Sequence, residues 1–397
     1  MSQSLSNDSL SRIADACVAC GLCVPRCPTY RKTGSEADSP RGRIALIQGV
    51  LDSRIPPNPR FIEHMDLCLT CRVCERVCPN QVRFGELIDG MRERIEKLRP
   101  GAERFWSRAA RALIARPRLL QSLAPLAALA RAINLHGLLP RSKRRETEAW
   151  LSTVPWLSRF EEWYPPRGNA RGEVALFLGC VARLFDVETL RSTIFVLNKL
   201  GYAVRIPKSQ TCCGALARHG GDLAQAKKLA MRNAKAFEKV DVVVASATGC
   251  GLALVEYGQD HGAHEFSSKV ADISAFLARQ WQRQTIAPLR AMIAVHEPCT
   301  ARNSANSLLE RIPGVVTKPL QGNDQCCGAA GTYFLTQPSM ANALRQDKVK
   351  ALEKLGAQIL VTSNVGCALH FKAAGISVLH PVTLLARQMG YGSSNKP

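Results

Sequence analysis

Val242-Val-Val-Ala-Ser-Ala-Thr-Gly-Cys250 is a short, unbroken apolar run that closes on a cysteine, and Ile359-Leu-Val-Thr-Ser-Asn-Val-Gly-Cys367 repeats it. A continuous run of this kind reads as a strand buried on both faces, as in a parallel sheet. Each has a companion upstream: Val174-Ala-Leu-Phe-Leu-Gly-Cys180 for the first, Ile293-Ala-Val-His-Glu-Pro-Cys299 for the second. Between companions stand Thr211-Cys212-Cys213-Gly214 and Gln325-Cys326-Cys327-Gly328. The C-terminal half is therefore an internal repeat. Strands are expected at 174–178, 242–245, 293–295 and 359–361, with helical patterns such as 222–239 and 339–355 between them. Alternation of this kind predicts an α/β layout with a parallel sheet. Cys180, Cys250, Cys299 and Cys367 each stand just past a strand's C-terminal end, the edge where ligand sites gather in open α/β sheets. The layout thus predicts that these cysteines converge.

The N-terminal fifth is organised by two other runs, Cys17-x-x-Cys20-x-x-Cys23-x-x-x-Cys27-Pro28 and Cys68-x-x-Cys71-x-x-Cys74-x-x-x-Cys78-Pro79. Both have the spacing of the bacterial [4Fe–4S] ferredoxin run, whose fourth cysteine usually serves the other cluster. Cys17, Cys20, Cys23 and Cys78 are expected to hold one cluster, and Cys68, Cys71, Cys74 and Cys27 the second. Zinc in four-cysteine sites is the rival, but a three-step run ending in Cys-Pro, twice over, is not the usual zinc layout. The insert between the runs carries Ser39-Pro40-Arg41-Gly42-Arg43-Ile44. Ser39 reads as an N-cap and Pro40 as the first helical residue. Arg41 and Arg43 are candidates to stabilise a reduced cluster, and a solvated helix start is the alternative. The insert points to a helical ferredoxin arrangement.

Composition supports metal over disulfides. The chain has 397 residues and 16 cysteines, long enough to fold without staples, and its cysteines fall in short regular clusters. Free thiolates imply a reducing compartment, hence the cytoplasm. Residues 1–10 show no apolar signal segment, and the most apolar run, 119–130, is too short to span a membrane and contains Pro125. The fold expected is α+β and multidomain: a ferredoxin-type domain over about 1–100, a basic helical linker over 101–168, and two Cys-Cys-Gly domains over 169–290 and 291–397.

Each Cys-Cys-Gly repeat offers four thiols: Cys180, Cys212, Cys213 and Cys250, then Cys299, Cys326, Cys327 and Cys367. A disulfide between adjacent cysteines is strained, because one trans peptide holds their Cα atoms closer than a relaxed bridge prefers. A further iron–sulfur cluster, zinc, or a metal-free thiol site are the readings open here. His296 and Glu297 lie beside Cys299, and His370 has C-x-x-H spacing from Cys367. His370 is the better candidate ligand on spacing.

With these motifs in place, the chain resembles the family of glycolate oxidase iron–sulfur subunits. That family is related to the anaerobic glycerol-3-phosphate dehydrogenase C subunit, lactate-utilisation proteins and heterodisulfide reductase subunits. Cys27-Pro28-Thr29-Tyr30, Ser39-Pro40-Arg41-Gly42-Arg43-Ile44, Cys68-Leu69-Thr70-Cys71-Arg72 and His296-Glu297-Pro298-Cys299 carry the resemblance to the glycolate branch. It implies a subunit that takes electrons from FAD-containing flavoprotein partners, which oxidise glycolate to glyoxylate, and passes them towards the membrane quinone pool. The absence of a Gly-x-Gly-x-x-Gly fingerprint agrees with this. One departure stands out. Heterodisulfide reductase repeats close on C-x-x-C, whereas Ala253 and His370 occupy the last position here, so that relative's non-cubane clusters and disulfide chemistry are not carried over. The equivalent subunit of a glycerol-3-phosphate or lactate dehydrogenase is the alternative within the class.

The formal net charge is +21. Arg104-Phe-Trp-Ser-Arg-Ala-Ala-Arg-Ala-Leu-Ile-Ala-Arg116 reads as an amphipathic helix with Arg104, Arg108 and Arg111 in a stripe. It suits an anionic membrane surface or a flavoprotein partner, with a solvated basic face of no role as the alternative, and predicts peripheral attachment on the cytoplasmic face of the inner membrane. A metal-bearing regulator that binds nucleic acid is the reading from another class. No recognised nucleic-acid module accompanies the charge, and no nucleic acid is expected as a partner.

Overall fold

The computed structural model describes residues 6–116, 119, 122, 159–301 and 305–392. Residues 123–158 of the expected linker, and all but two residues of the apolar run 119–130, lie outside them. The architecture is mixed: a helical N-terminal region and a C-terminal pair of repeated α/β modules. The described residues form two compact units that do not follow chain order. One comprises Met1–Arg111, Gly214–Lys227 and Gly322–Lys348; the other Ala112–Cys213, Lys228–Gln321 and Val349–Pro397.

In the first unit, helices Asn7–Asp15, Pro40–Leu51, Pro59–Asp66 and Phe84–Leu98 enclose a core of Leu10, Ile13, Ile47, Met65, Leu87, Ile88 and Met91. Leu87, Ile88, Met91 and Ile95 fall on one helical face, so a single helix supplies much of the core. Two helix starts are specified locally. Ser39 Oγ accepts from the Gly42 N–H at 3.0 Å, and Asn58 Oδ1 accepts from the Phe61 N–H at 2.9 Å, each with proline at the first helical position. These caps set where each helix begins, and hence where Arg41 and Arg43 stand.

The basic helix, Gly101–Ile114, forms as expected, but its stripe is not a free cationic face. Arg108 and Arg111 both reach Glu96, at 3.4 and 2.7 Å. Beside Glu103 and Arg108, the helix exposes an aromatic pair, Phe105 and Trp106, 63% and 70% accessible and edge to face.

The second unit holds two sheets of matching topology. The first has the order β1-β3-β2-β4-β5, where β1 is Trp163–Tyr164, β2 Gly172–Phe177, β3 Tyr202–Arg205, β4 Val243–Ala245 and β5 Val270–Asp272. The second has the order β7-β6-β8-β9, where β6 is Ala291–His296, β7 Val315–Pro319, β8 Ile359–Thr362 and β9 Val378–Leu379. All pairs are parallel except β1 with β3. Removing β1 leaves the same four-strand order in both. The four strands expected from the apolar runs are the central pairs: Leu176 faces Val244 across β2 and β4, and Val295 faces Val361 across β6 and β8. One core runs through both sheets, including Leu176, Val244, Ile293, Val361 and Leu385. In each sheet the chain leaves the two central strands for opposite neighbours, and the resulting crevice at their C-terminal ends is the ligand position of such folds.

Candidate iron–sulfur and metal centres

The first unit contains two cavities walled by cysteine. One, with an empty volume of about 470 Å³, is lined by Cys17, Cys20, Cys23, Cys74 and Cys78, with Arg41 and Ile44. The other, of about 340 Å³, is lined by Cys27, Cys68, Cys71 and Cys74, with Thr29 and Arg43. Cys74, Pro40 and Phe84 border both, so the two cavities share a wall. The eight N-terminal cysteines thus collect in two adjacent groups, with Cys27 and Cys78 each in the cavity of the other run.

The loops repeat one conformation. Ala19 and Gly21 flank Cys20 with φ of 54° and 84°; Thr70 and Arg72 flank Cys71 with φ of 52° and 54°. Left-handed backbone is uncommon outside glycine, and for the β-branched Thr70 it is an outlier that surrounding structure must hold. Two such residues around the middle cysteine curl each loop so that its three thiols face one point. Arg92 fixes the second loop, donating to Thr70 Oγ1 at 2.7 Å and to the carbonyl of Cys68 at 2.6 Å.

The thiol chemistry fits a cationic group in each cavity. Burial pushes the Cys23 thiol up, aided by Cys17 and Cys20, while backbone amides of Cys23 and Arg41 oppose it. Burial raises Cys74 well above an ordinary thiol, with Cys71, Cys68 and Cys27 adding repulsion. Four thiolates this close ionise together only around a cation, and metal binding expels their protons. Both cavities offer the four-thiol donor set of a cubane cluster.

The two arginines of the Ser39–Arg43 stretch diverge. Arg41 pairs with Glu36 at 2.6 Å, is part-exposed, and borders the first cavity. Arg43 is 1% exposed and borders the second, with Nη1 3.9 Å from Cys27 Sγ and 3.0 Å from Thr29 Oγ1. Its Nε donates to the His64 carbonyl at 2.7 Å, and Asp38, itself bonded to His64 Nδ1 at 2.9 Å, supplies the counter-charge. A solvated helix start describes Arg41 in part and does not describe Arg43.

In the second unit, the first repeat brings its four cysteines together. Cys180 follows β2 and Cys250 lies in the first turn of the helix Thr248–His261 after β4. Cys180 Sγ lies 3.3 Å from Cys212 Sγ. Sharing hydrogen bonds with Cys180 and Cys213 lifts the Cys212 thiol far up, and a bond to Cys213, then burial, does the same for Cys250. Asn233 and Tyr257 hold the pair's backbone: Asn233 accepts from the Thr211 N–H at 2.8 Å and donates to the Cys212 carbonyl at 2.9 Å, and the Tyr257 hydroxyl donates to the Cys213 carbonyl at 2.7 Å. Sequence reasoning missed both. The available signal was a polar residue at a buried position of a helix, since Asn233 is fully inaccessible.

In the second repeat, Cys299 follows β6 and Cys367 lies in the helix Val365–Lys372 after β8, while the buried Cys326 and Cys327 belong to the first unit. His296, passed over in favour of His370, has a ring nitrogen within 4.8 Å of Cys367 Sγ, and its Nδ1 pairs with Thr362 Oγ1 at 2.9 Å. His370 is buried.

Comparison with known proteins accords with this arrangement. Residues 13–82 match the 4Fe-4S dicluster domain, and residues 174–255 and 293–372 each match the cysteine-rich domain. The chain is 32% identical to the glycolate oxidase iron-sulfur subunit of Escherichia coli, over 98% of this chain and 96% of that one. It is 31% identical to a probable glycolate oxidase iron-sulfur subunit of Bacillus subtilis, over 95% and 94%. In fold it resembles a hypothetical protein from Helicobacter pylori at 13% identity, with a TM-score of 0.52, over 90% of this chain and 69% of that one.

Proposed function

The chain belongs to the family of glycolate oxidase iron–sulfur subunits, and from that premise we propose that it is the electron-transfer subunit of a flavin-dependent glycolate dehydrogenase complex. In this reading FAD-containing partner subunits oxidise glycolate to glyoxylate, and this chain carries the electrons towards the membrane quinone pool. Cys17, Cys20, Cys23 and Cys78 hold the first [4Fe–4S] cluster; Cys68, Cys71, Cys74 and Cys27 hold the second. Such clusters, when bound, supply one-electron exchange without proton or group transfer. The observation that carries the reading is the shared wall: two cysteine-lined cavities bordered in common by Cys74, Pro40 and Phe84 suit a relay between neighbours. Entry is at the first cavity, where Cys20 is exposed and Val18 and Leu22 present apolar side chains to a partner. Cys180, Cys212, Cys213 and Cys250 form a further metal centre, with the domain boundaries at about 100, 168 and 290.

Attachment to the membrane is peripheral, on the cytoplasmic face of the inner membrane. Among the described residues no helix is long and apolar enough to cross a membrane, and the exposed Phe105–Trp106 pair suits an interface. Iron and acid-labile sulfide, measured per chain on anaerobic protein, test the reading. About eight irons correspond to the two N-terminal cubanes, and about twelve or more to a cluster at a Cys-Cys-Gly repeat as well. Protein without iron would end it.

A further inference from the structure

We infer that Arg43 sets the potential of the cluster held by Cys27, Cys68, Cys71 and Cys74, making the second cavity the more oxidising of the two and giving the relay its direction. The inference rests on the cluster assignment above and adds what this chain's own residues do to it. Three observations carry it.

The first is placement. The Arg43 guanidinium is 1% exposed and its Nη1 lies 3.9 Å from the sulfur of Cys27, which also borders the second cavity. An electron added there adds one negative charge. A fixed cation at that distance, shielded from water, stabilises the reduced form and so raises the potential.

The second is orientation. Arg43 is held on every side: Thr29 Oγ1, the Asp38 and His64 carbonyls and the Asp38 carboxylate accept from it. The Thr29 hydroxyl meets both Nη1 and Cys27 Sγ, the latter at 3.1 Å. The Asp38 carboxylate takes Nη2, while Nη1 is the nitrogen near the sulfur. The ion pair therefore lies with its positive nitrogen towards Cys27. Its dipole acts on the cavity even though its net charge is near zero.

The third is asymmetry. Two residues earlier on the same helix, Arg41 borders the first cavity, but it is part-exposed and its charge is met by Glu36 at 2.6 Å. Water and the carboxylate screen it, so the equivalent effect on the first cluster is small. One helix start thus presents a water-screened cation to the cavity with the exposed Cys20, and to its neighbour a buried ion pair with its positive nitrogen towards the sulfur. An electron arriving at the first cavity moves inward.

The test is a redox titration of anaerobic holoprotein followed by EPR, with the second cluster identified as the signal altered in Cys71→Ser. Arg43→Gln is expected to shift that signal's midpoint to more negative potential and leave the other in place. Asp38→Asn removes the counter-charge and is expected to shift the same signal the opposite way. A purely structural role would alter iron content without producing opposite signs. Arg43→Lys keeps the charge and should hold the midpoint between wild type and Arg43→Gln. Unchanged midpoints in Arg43→Gln at full iron content would overturn the inference. Where Arg43→Gln loses iron, Asp38→Asn decides: a positive shift supports the role, and no shift ends it. Wild-type protein lacking two [4Fe–4S] signals would instead remove the cluster assignment itself.

Discussion

At the residue scale, the cysteines divide labour by how they are held. Cys20 and Cys71 are the middle cysteines of their runs, each between two left-handed residues. The conformation is costly without a group for the thiols to grip, of order 1–3 kcal/mol per strained residue. Cys71→Ser should therefore cost the second cluster, reduce iron per chain by about half of the N-terminal complement, and uncouple flavin reduction from quinone reduction. Iron analysis with quinone-linked turnover checks this, and full turnover in the variant would refute the wiring. A second residue-scale feature is a buried charge cluster. Burial opposes its ionisation, yet His219, Arg218 and Arg72 together hold Asp89 well below the ordinary carboxylate range. Asp89 thereby fastens the Arg72 loop beside Cys71 to the segment that follows Cys213, all within the first unit.

At the element scale, the glycines after each cysteine pair show why the motif is Cys-Cys-Gly. Gly214 and Gly328 have φ of 85° and 92°, and a Cβ on them would meet the carbonyl oxygens of Ala226 at 3.2 Å and Ala341 at 2.6 Å. Both carbonyls belong to the second helix after the pair, Leu223–Ala236 in one repeat and Pro338–Leu355 in the other. Gly328→Ala combines backbone strain with a clash and should cost at least about 2 kcal/mol. Gly356→Ala, also at positive φ but with nothing within 4 Å, should cost only the backbone part. Urea unfolding of the two variants separates the contributions, and equal losses would argue against the clash.

Helix capping supplies the pH dependence. His380 Nδ1 accepts from the Val382 N–H at 3.0 Å, so the ring carries its proton on Nε2 and donates it to the Ser246 carbonyl at 2.9 Å. Burial lowers its pKa from 6.5 to about 4, against the bond to Ser246. The unfolded chain then takes up the proton first. Stability is complete above pH 6.5 and declines as pH falls towards 4, by on the order of 3 kcal/mol in the limit. His380→Asn keeps a capping acceptor and should flatten that slope in pH-dependent unfolding.

At the scale of the whole molecule, the expected use is directional transfer from the cavity that holds the exposed Cys20 to the one lined by the buried Cys27 and Cys68. Val18 and Leu22 are 65% and 57% accessible around the exposed Cys20, whereas Cys27 and Cys68 are buried. Leu22→Gln, which removes the apolar contact without adding charge beside the first cavity, should slow reduction by the flavoprotein partner several-fold and leave iron content and midpoints unchanged, as read by stopped-flow absorbance. An unaffected rate would move the entry point elsewhere. The first Cys-Cys-Gly centre makes a separate prediction. Asn233→Leu leaves the carbonyl of Cys212 and the amide of Thr211 without their buried partner, a loss of about 1–3 kcal/mol per group. Metal at that centre should fall while the N-terminal cubane signals persist.

The chain alone determined the local and periodic features. Cysteine spacing is covalent information, so the two N-terminal runs, the repeat and the central strands were legible before any fold was known. The continuous apolar runs of β2, β4, β6 and β8 are legible for the same reason, because burial on both faces leaves no alternation to confuse. The outer strands β3, β5, β7 and β9 were not singled out. They are short, and β5 and β7 are only partly buried, so their pairing depends on neighbours. Tertiary structure decided what spacing leaves open. It separated Arg41 from Arg43, two residues apart and alike in sequence, by burying one with Asp38 and leaving the other part-exposed against Glu36. It turned Arg108 and Arg111 of the basic stripe onto Glu96, which no periodicity reveals. It placed His296 beside Cys367 because neighbouring strands bring them together across distant sequence. Charge and ligation act over a few ångströms, and only the folded chain sets which groups lie that close.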